Sequence, residues 1–187
     1  MGTCLRTSTF ILFLILSCFF ANAQEYRSKE IKPIRENVQK INHTKHWTKI
    51  REIDLWETTE GGKATFYYLN TVLTKIIVRQ FGETFKSITE YYLLNGKLSF
   101  VLDNNYKYNR PITYDSAAMK ANKDDQVWDM KKSEFIENRS YFSNGKLIHQ
   151  INNQDCGSPF SEEYLAEEGK TILTEFQKLL TLIKRKK

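Results

Sequence analysis

Residues 86–108, KSITEYYLLNGKLSFVLDNNYKY, decide the architecture of this chain. At their centre, Asn95-Gly96 is the dipeptide that best tolerates the two successive positive φ angles of a type I′ turn. Beyond it, Leu98, Phe100 and Leu102 alternate with Lys97, Ser99 and Asp103, so one face of the strand is buried and the other wet. Lys86–Leu94 and Lys97 to about Tyr108 therefore read as an antiparallel hairpin. Asn144-Gly145 marks a second hairpin of the same kind, between Ser133–Ser143 and Lys146–Ile151.

Working outward, Trp47–Thr58 reads as a strand closed by Glu60-Gly61-Gly62. Lys63–Leu69 and Leu73–Phe81 follow, the latter rich in β-branched residues at Ile76, Ile77 and Val78. Pro33 suits a first helical turn, and Ile34, Val38 and Ile41 lie at helical spacing up to about residue 44. From Ser158 or Ser161, either of which can cap it, a second helix carries the apolar stripe Leu165, Ile172, Phe176, Leu179 and Ile183. Gly169 interrupts this helix at a cost of about 1 kcal/mol relative to Ala unless something packs closely there. Asp115–Lys131 is polar, shows no period and reads as a long surface loop. The expected fold is α+β: one antiparallel sheet of about six or seven strands, packed against the C-terminal helix, with a short N-terminal helix.

The chain opens with Arg6 in a short polar stretch, the eleven-residue segment FILFLILSCFF (10–20), then Ala21-Asn22-Ala23. This order predicts a secretory signal over 1–23, cleaved before Gln24 to release one exported domain, 24–187, secreted or periplasmic. At about 1.5 Å per residue the apolar stretch falls short of a bilayer core, and no membrane span is expected. Ile15-Leu16-Ser17-Cys18 offers the competing reading of a lipoprotein anchored at Cys18.

Cleavage leaves 164 of the 187 residues, enough for a single core. The formal charge falls from +6 to +5 with the loss of Arg6. The Lys/Arg excess gathers at the two ends, in Lys45/Lys49/Arg51 and Lys184–Lys187, and defines no continuous patch, so nucleic acid is not an expected partner. Cys156 is then the one remaining cysteine, which rules out an internal disulfide in the mature chain and leaves an intermolecular crosslink, hence an oligomer, open.

Motifs for chemistry are few. His43-x-x-His46 has no nearby Cys, Asp or Glu at metal-ligand spacing. Phosphate loops, GxSxG and HExxH are absent from the sequence, so no cofactor, metal or catalytic residue is assigned. The aromatic residues carry the functional hint. Tyr106-Lys107-Tyr108-Asn109-Arg110 mixes rings and cations where a strand runs out into a loop, and Tyr106, Lys107, Tyr108 and Arg110 are the candidate ligand-binding residues. The alternative assigns these tyrosines to packing at the core rim and leaves the cations solvated.

Tyr91-Tyr92-Leu93-Leu94-Asn95-Gly96-Lys97-Leu98 and Tyr141-Phe142-Ser143-Asn144-Gly145-Lys146-Leu147 share an aromatic pair and Asn-Gly-Lys-Leu, and Tyr67-Tyr68-Leu69-Asn70-Thr71-Val72-Leu73 is a third, degenerate copy. The pattern resembles the YYxNG β-hairpin repeats of MORN-type proteins. That resemblance implies a meandering sheet built hairpin by hairpin and used as a scaffold or interaction surface. The glycines usual around each such hairpin are mostly missing here, which favours a compact sheet over an open array. The expected role is a non-enzymatic binding or interaction module for an unknown protein or glycan partner. Its competitors are a periplasmic inhibitor of a hydrolase and an enzyme without a linear motif.

Overall fold

A computed structural model of the protein describes residues 29–155 and 159–185. The expected signal segment 1–23, with Cys18, and the later residues Cys156 and Ser158 lie outside the described residues.

Seven strands follow one another in sequence and in space, β1 Lys49–Leu55, β2 Gly62–Leu69, β3 Val72–Phe81, β4 Phe85–Leu94, β5 Lys97–Lys107, β6 Glu134–Ser143 and β7 Lys146–Asn152. They form the single antiparallel sheet expected from the sequence, in the up-and-down order β1-β2-β3-β4-β5-β6-β7. Helix α1 covers residues 29–42, helix α2 Ser116–Ala121 and helix α3 Glu162–Arg185. The architecture is α+β, as the sequence predicts.

The hairpin turns at one end of the sheet share one geometry. Asn95 and Gly96 have φ of 53° and 75°, and Asn144 and Gly145 have 50° and 76°, the two positive angles a type I′ turn requires. Asn70 and Thr71 adopt the same pair, 48° and 71°. Each hairpin also slips register at the aromatic residue before its turn, between Tyr67/Tyr68, Tyr92/Leu93 and Tyr141/Phe142. The residue left over by each slip, Thr74, Ser99 or Ile148, is a β-bulge, which increases the local twist.

Strand alternation gives the sheet two unlike faces. On the first, Ile53, Ala64, Phe66, Ile76, Val78, Leu93, Leu98, Phe142 and Leu147 pack under Leu165, Phe176 and Leu179 of α3. The Phe176 ring stacks on Tyr91 at 5.9 Å. Fully burying side chains such as Phe66 and Ile76 is worth about 1.5–3 kcal/mol each. Ser161 caps α3, its hydroxyl accepting from the Tyr164 N–H at 3.2 Å. At the other helix end, Arg51 Nη1 donates to the Ile183 carbonyl at 2.9 Å, supplying a cation where the helix dipole is negative.

On the second face α1 lies over an aromatic row. Tyr92, Phe100 and Tyr141, side by side on β4, β5 and β6, pack against Ile31, Ile34 and Ile41. The ring centroids are 5.6 Å apart between Tyr92 and Phe100 and 4.9 Å between Phe100 and Tyr141. Two expectations change here. The small N-terminal helix is a second cover for the sheet, and it is already helical at Lys29, so the N–H that Pro33 lacks falls within the helix rather than ahead of it. The 115–131 segment is not aperiodic loop throughout: Asp115 caps α2 by accepting from the Ala117 and Ala118 N–H groups at 2.9 Å, and Asp129 caps a 3₁₀ turn, Met130–Lys132. Helices this short leave no period to read, because none of their residues is buried. Among the described residues no helix is long and apolar enough to cross a membrane.

Candidate functional site

The aromatic row under α1 sits toward the Asn-Gly turns. The opposite end of the sheet holds the β1–β2 and β3–β4 connections and the long β5–β6 segment. Among the described residues, the core under α1 does not extend to this end of the second face. Its last row is built by register alone: Phe81 of β3 faces Lys86 of β4, which faces Tyr106 of β5, which faces Phe135 of β6. The Tyr106 and Phe135 rings lie 4.9 Å apart, and the Lys86 ammonium stands 5.6 Å over the Tyr106 ring.

Around this row the surface is unusually apolar. Phe81 and Phe135 of the row are 37 % and 38 % exposed; at the same end of the sheet Ile112 and Trp128 are 37 % and 36 % exposed, and Phe85, opposite Lys107 on the other face, 37 %. Backbone bonds hold them together. The Ile112 N–H donates to the Glu83 carbonyl and the Tyr108 N–H to the Thr84 carbonyl, both at 2.8 Å, which clamps the β5–β6 segment onto the β3–β4 turn.

The four residues singled out in the sequence are divided by this geometry. Tyr106 belongs to the exposed row. Lys107 ends β5 one residue later, exposed and on the opposite face by strand alternation. Tyr108 has left the strand, and its ring meets Trp128 edge-on at 5.9 Å, while burial pushes its hydroxyl pKa up. Arg110 grips Asp124 with two nitrogens, Nε to Oδ2 at 2.6 Å and Nη2 to Oδ1 at 2.8 Å, and donates to the Asn109 carbonyl at 2.7 Å. The Arg110 hydrogen bonds hold the Asp124 carboxyl well below the usual carboxylate range. Arg110 thus fastens the connecting segment. Asn109 does the same, its side-chain amide donating to the Val127 carbonyl and its oxygen accepting from the Asp129 N–H, both at 3.0 Å.

Phe81, Lys86 and Phe135 carry the exposed row together with Tyr106, and sequence reasoning missed them. The available signal was apolar residues at outward positions of β3 and β6, which becomes readable only once the register is known.

A second polar assembly lies beside the α1-covered row. Lys75 Nζ is 2.6 Å from Glu90 Oε2, and it also donates to the Tyr92 hydroxyl at 2.9 Å and to Asn42 Oδ1 at 3.1 Å. The Tyr92 hydroxyl has one proton to give, and Glu90 at 2.6 Å is nearer than Asn42 at 2.8 Å. Burial opposes ionisation of Glu90, but the hydrogen bonds from Lys75 and Tyr92, with the Lys75 charge, outweigh it and hold the carboxyl below its ordinary range. This network ties the end of α1 to β3 and β4.

No group of three or more His, Cys, Asp or Glu residues converges to hold a metal among the described residues. His43 uses its Nδ1 against the Gln39 carbonyl at 2.7 Å. Compared with protein-family models, with curated proteins and with solved structures, the chain matches none.

Proposed function

We propose that this protein is an exported, non-enzymatic binding module that meets a protein partner through the bare loop end of its sheet. The observation that carries this reading is the row Phe81–Lys86–Tyr106–Phe135, with Phe81 and Phe135 37 % and 38 % exposed on a face whose other half is covered by α1. A folded chain gains nothing from leaving rings in water. Contiguous exposed apolar surface on a soluble domain marks a place where something else docks. A row of aromatic rings with one lysine among them suits a protein interface, where aromatic anchors dominate the energy. The MORN-type resemblance of the hairpins points the same way, toward a scaffold that presents a surface. Arg110 and Asn109 support that surface from behind by holding the 109–129 segment in place, and Tyr106 is the one residue of the sequence-derived set that stands in it.

A photo-crosslinking residue introduced at Lys86, within the row, and separately at Val72, 53 % exposed at the turn end, tests the reading in cells that naturally make the protein. One discrete protein adduct at Lys86 and none at Val72 is expected. Excess unlabelled protein should suppress it, and the double variant Phe81→Ala/Phe135→Ala should compete at least tenfold less well. Equal adducts at the two ends, or capture of a glycan in place of a protein, would overturn it.

A further inference from the structure

The first face is not wholly covered by α3. Between the helix and the loop-end half of that face lies a cavity of about 370 Å³, within the range of small-molecule sites. Its floor is polar although it is the middle of a sheet: Thr89, Asp103, Asn138, Ser140 and Gln150 all line it. The register places Thr89, Asp103 and Asn138 in one row across β4, β5 and β6, with Ser140 and Gln150 in the next. Apolar residues at these positions would complete the core under α3, so the polar ones cost stability that burial alone does not return.

Most of these groups satisfy one another. Asp103 accepts from Thr89 Oγ1 at 2.7 Å and from Asn105 Nδ2 at 2.6 Å, Asn138 Oδ1 accepts from Asn152 Nδ2 at 2.6 Å, and Gln150 Nε2 donates to Ser140 Oγ at 3.0 Å. One does not. Gln150 is 4 % exposed, lines the cavity, and its Oε1 has no hydrogen-bond partner among the described residues. An unmet buried acceptor requires a donor from whatever fills the space.

Charge narrows the occupant. The chain is basic overall at +6, yet among the described residues the cavity gathers the carboxylates of Glu57, Asp103, Glu168 and Glu175 against one ammonium, that of Lys178, itself 2.7 Å from Glu175. The negative field is felt by Tyr91 in the cavity wall, whose hydroxyl pKa is pushed up by burial first and then by Asp103 and Glu175. We infer that this cavity binds a small hydroxylated amine, of the amino-alcohol or amino-sugar class: an ammonium answers the excess carboxylates, and adjoining hydroxyls answer the side-chain amides of Asn138 and Gln150. The site lies on the opposite face from the proposed protein-docking row and stands independently of it.

Three probes separate the parts of this claim: glucosamine, which carries both groups, glucose, which lacks the ammonium, and cyclohexylamine, which lacks the hydroxyls. Titrated into the isotopically labelled protein at neutral pH, glucosamine is expected to shift the backbone resonances of Asp103, Gln150 and Glu168 saturably. Glucose and cyclohexylamine should each bind at least tenfold more weakly. Asp103→Asn should weaken glucosamine at least tenfold. Glu168→Gln, on the helix and outside the hydrogen-bonded sheet, tests the same charge without disturbing the floor and should weaken it severalfold. No saturable shift at these three residues, equal binding of cyclohexylamine, or undiminished affinity in Glu168→Gln would each overturn the assignment.

Discussion

Thr71 sits at φ 71° in the second position of the β2–β3 turn, where the two sister turns have Gly96 and Gly145. The left-handed region costs an L-residue roughly 1–2 kcal/mol, and a β-branched side chain resists it further. Thr71→Gly is therefore expected to stabilise the protein by about 1 kcal/mol after the extra backbone entropy of glycine is deducted. Gly96→Val, which has open space for its side chain but the wrong backbone, should destabilise by well over 1 kcal/mol. Urea unfolding of both variants checks the pair: the two midpoints should move in opposite directions. Glu90 offers a test by pH. Its folded pKa is depressed, so its contribution is present above the unfolded value of about 4.3 and is lost as pH falls through the folded value. With the side chains of Lys75 and Glu90 only 11 % and 21 % exposed, Glu90→Gln should cost about 2 kcal/mol at pH 7. The gap between wild type and variant should narrow progressively as pH falls below the unfolded value. A gap that stays constant with pH would mean that the carboxylate charge does not stabilise the fold.

Gly169 shows what a helix gives up to lie close to a sheet. A Cβ there would stand 2.9 Å from Leu147 Cβ and 3.4 Å from the Leu147 backbone nitrogen, atoms that no rotamer change moves. Helix propensity alone favours Gly169→Ala by about 1 kcal/mol. The contact with β7 should cancel that gain, so Gly169→Ala is expected to be neutral or destabilising and Gly169→Val destabilising by more than 2 kcal/mol, both read from thermal or urea unfolding. A clear rise in melting temperature for Gly169→Ala would show that the helix stands farther off. The strands and both long helices were legible in the sequence because each rests on a local signal: Asn-Gly for the turns, alternation for β5, and the stripe from Leu165 to Ile183 for α3. What was not legible depends on register or on distant partners. Tyr92 and Phe100 read as one strand pair, but nothing local places them under Ile34 and Ile41. Asp124 gives no hint that Arg110, fourteen residues earlier, will hold it. Of the candidate site, Tyr106 was visible as an aromatic residue past the end of apolar alternation. Phe81 and Phe135 were not, because they join Tyr106 only through the ladder across β3 to β6.

At the scale of the whole molecule, the sheet is a partition with a different cover on each side. The core under α3 runs from Ile53 on β1 to Leu147 on β7, whereas the core under α1 joins only Tyr92, Phe100 and Tyr141 and their neighbours. Cooperative units follow buried contact, so loss of the two covers should have unlike consequences. Phe176 is 4 % exposed at the middle of the larger core, and Phe176→Ala should cost about 3–5 kcal/mol and lower the single unfolding transition as a whole. A chain ending at Phe160 should be insoluble, because the apolar residues of the first face would meet water together. Ile34 and Ile41 are 4 % and 3 % exposed but touch only the smaller core. The double variant Ile34→Ala/Ile41→Ala should therefore release α1 while the sheet stays folded. Amide hydrogen exchange distinguishes the outcomes: protection is expected to vanish across 31–42 and to persist in β3, β4 and β5. Loss of protection everywhere in a single step would mean that α1 belongs to the same cooperative unit as the sheet and α3, with the Lys75–Glu90–Tyr92–Asn42 network as the physical link between α1 and the sheet.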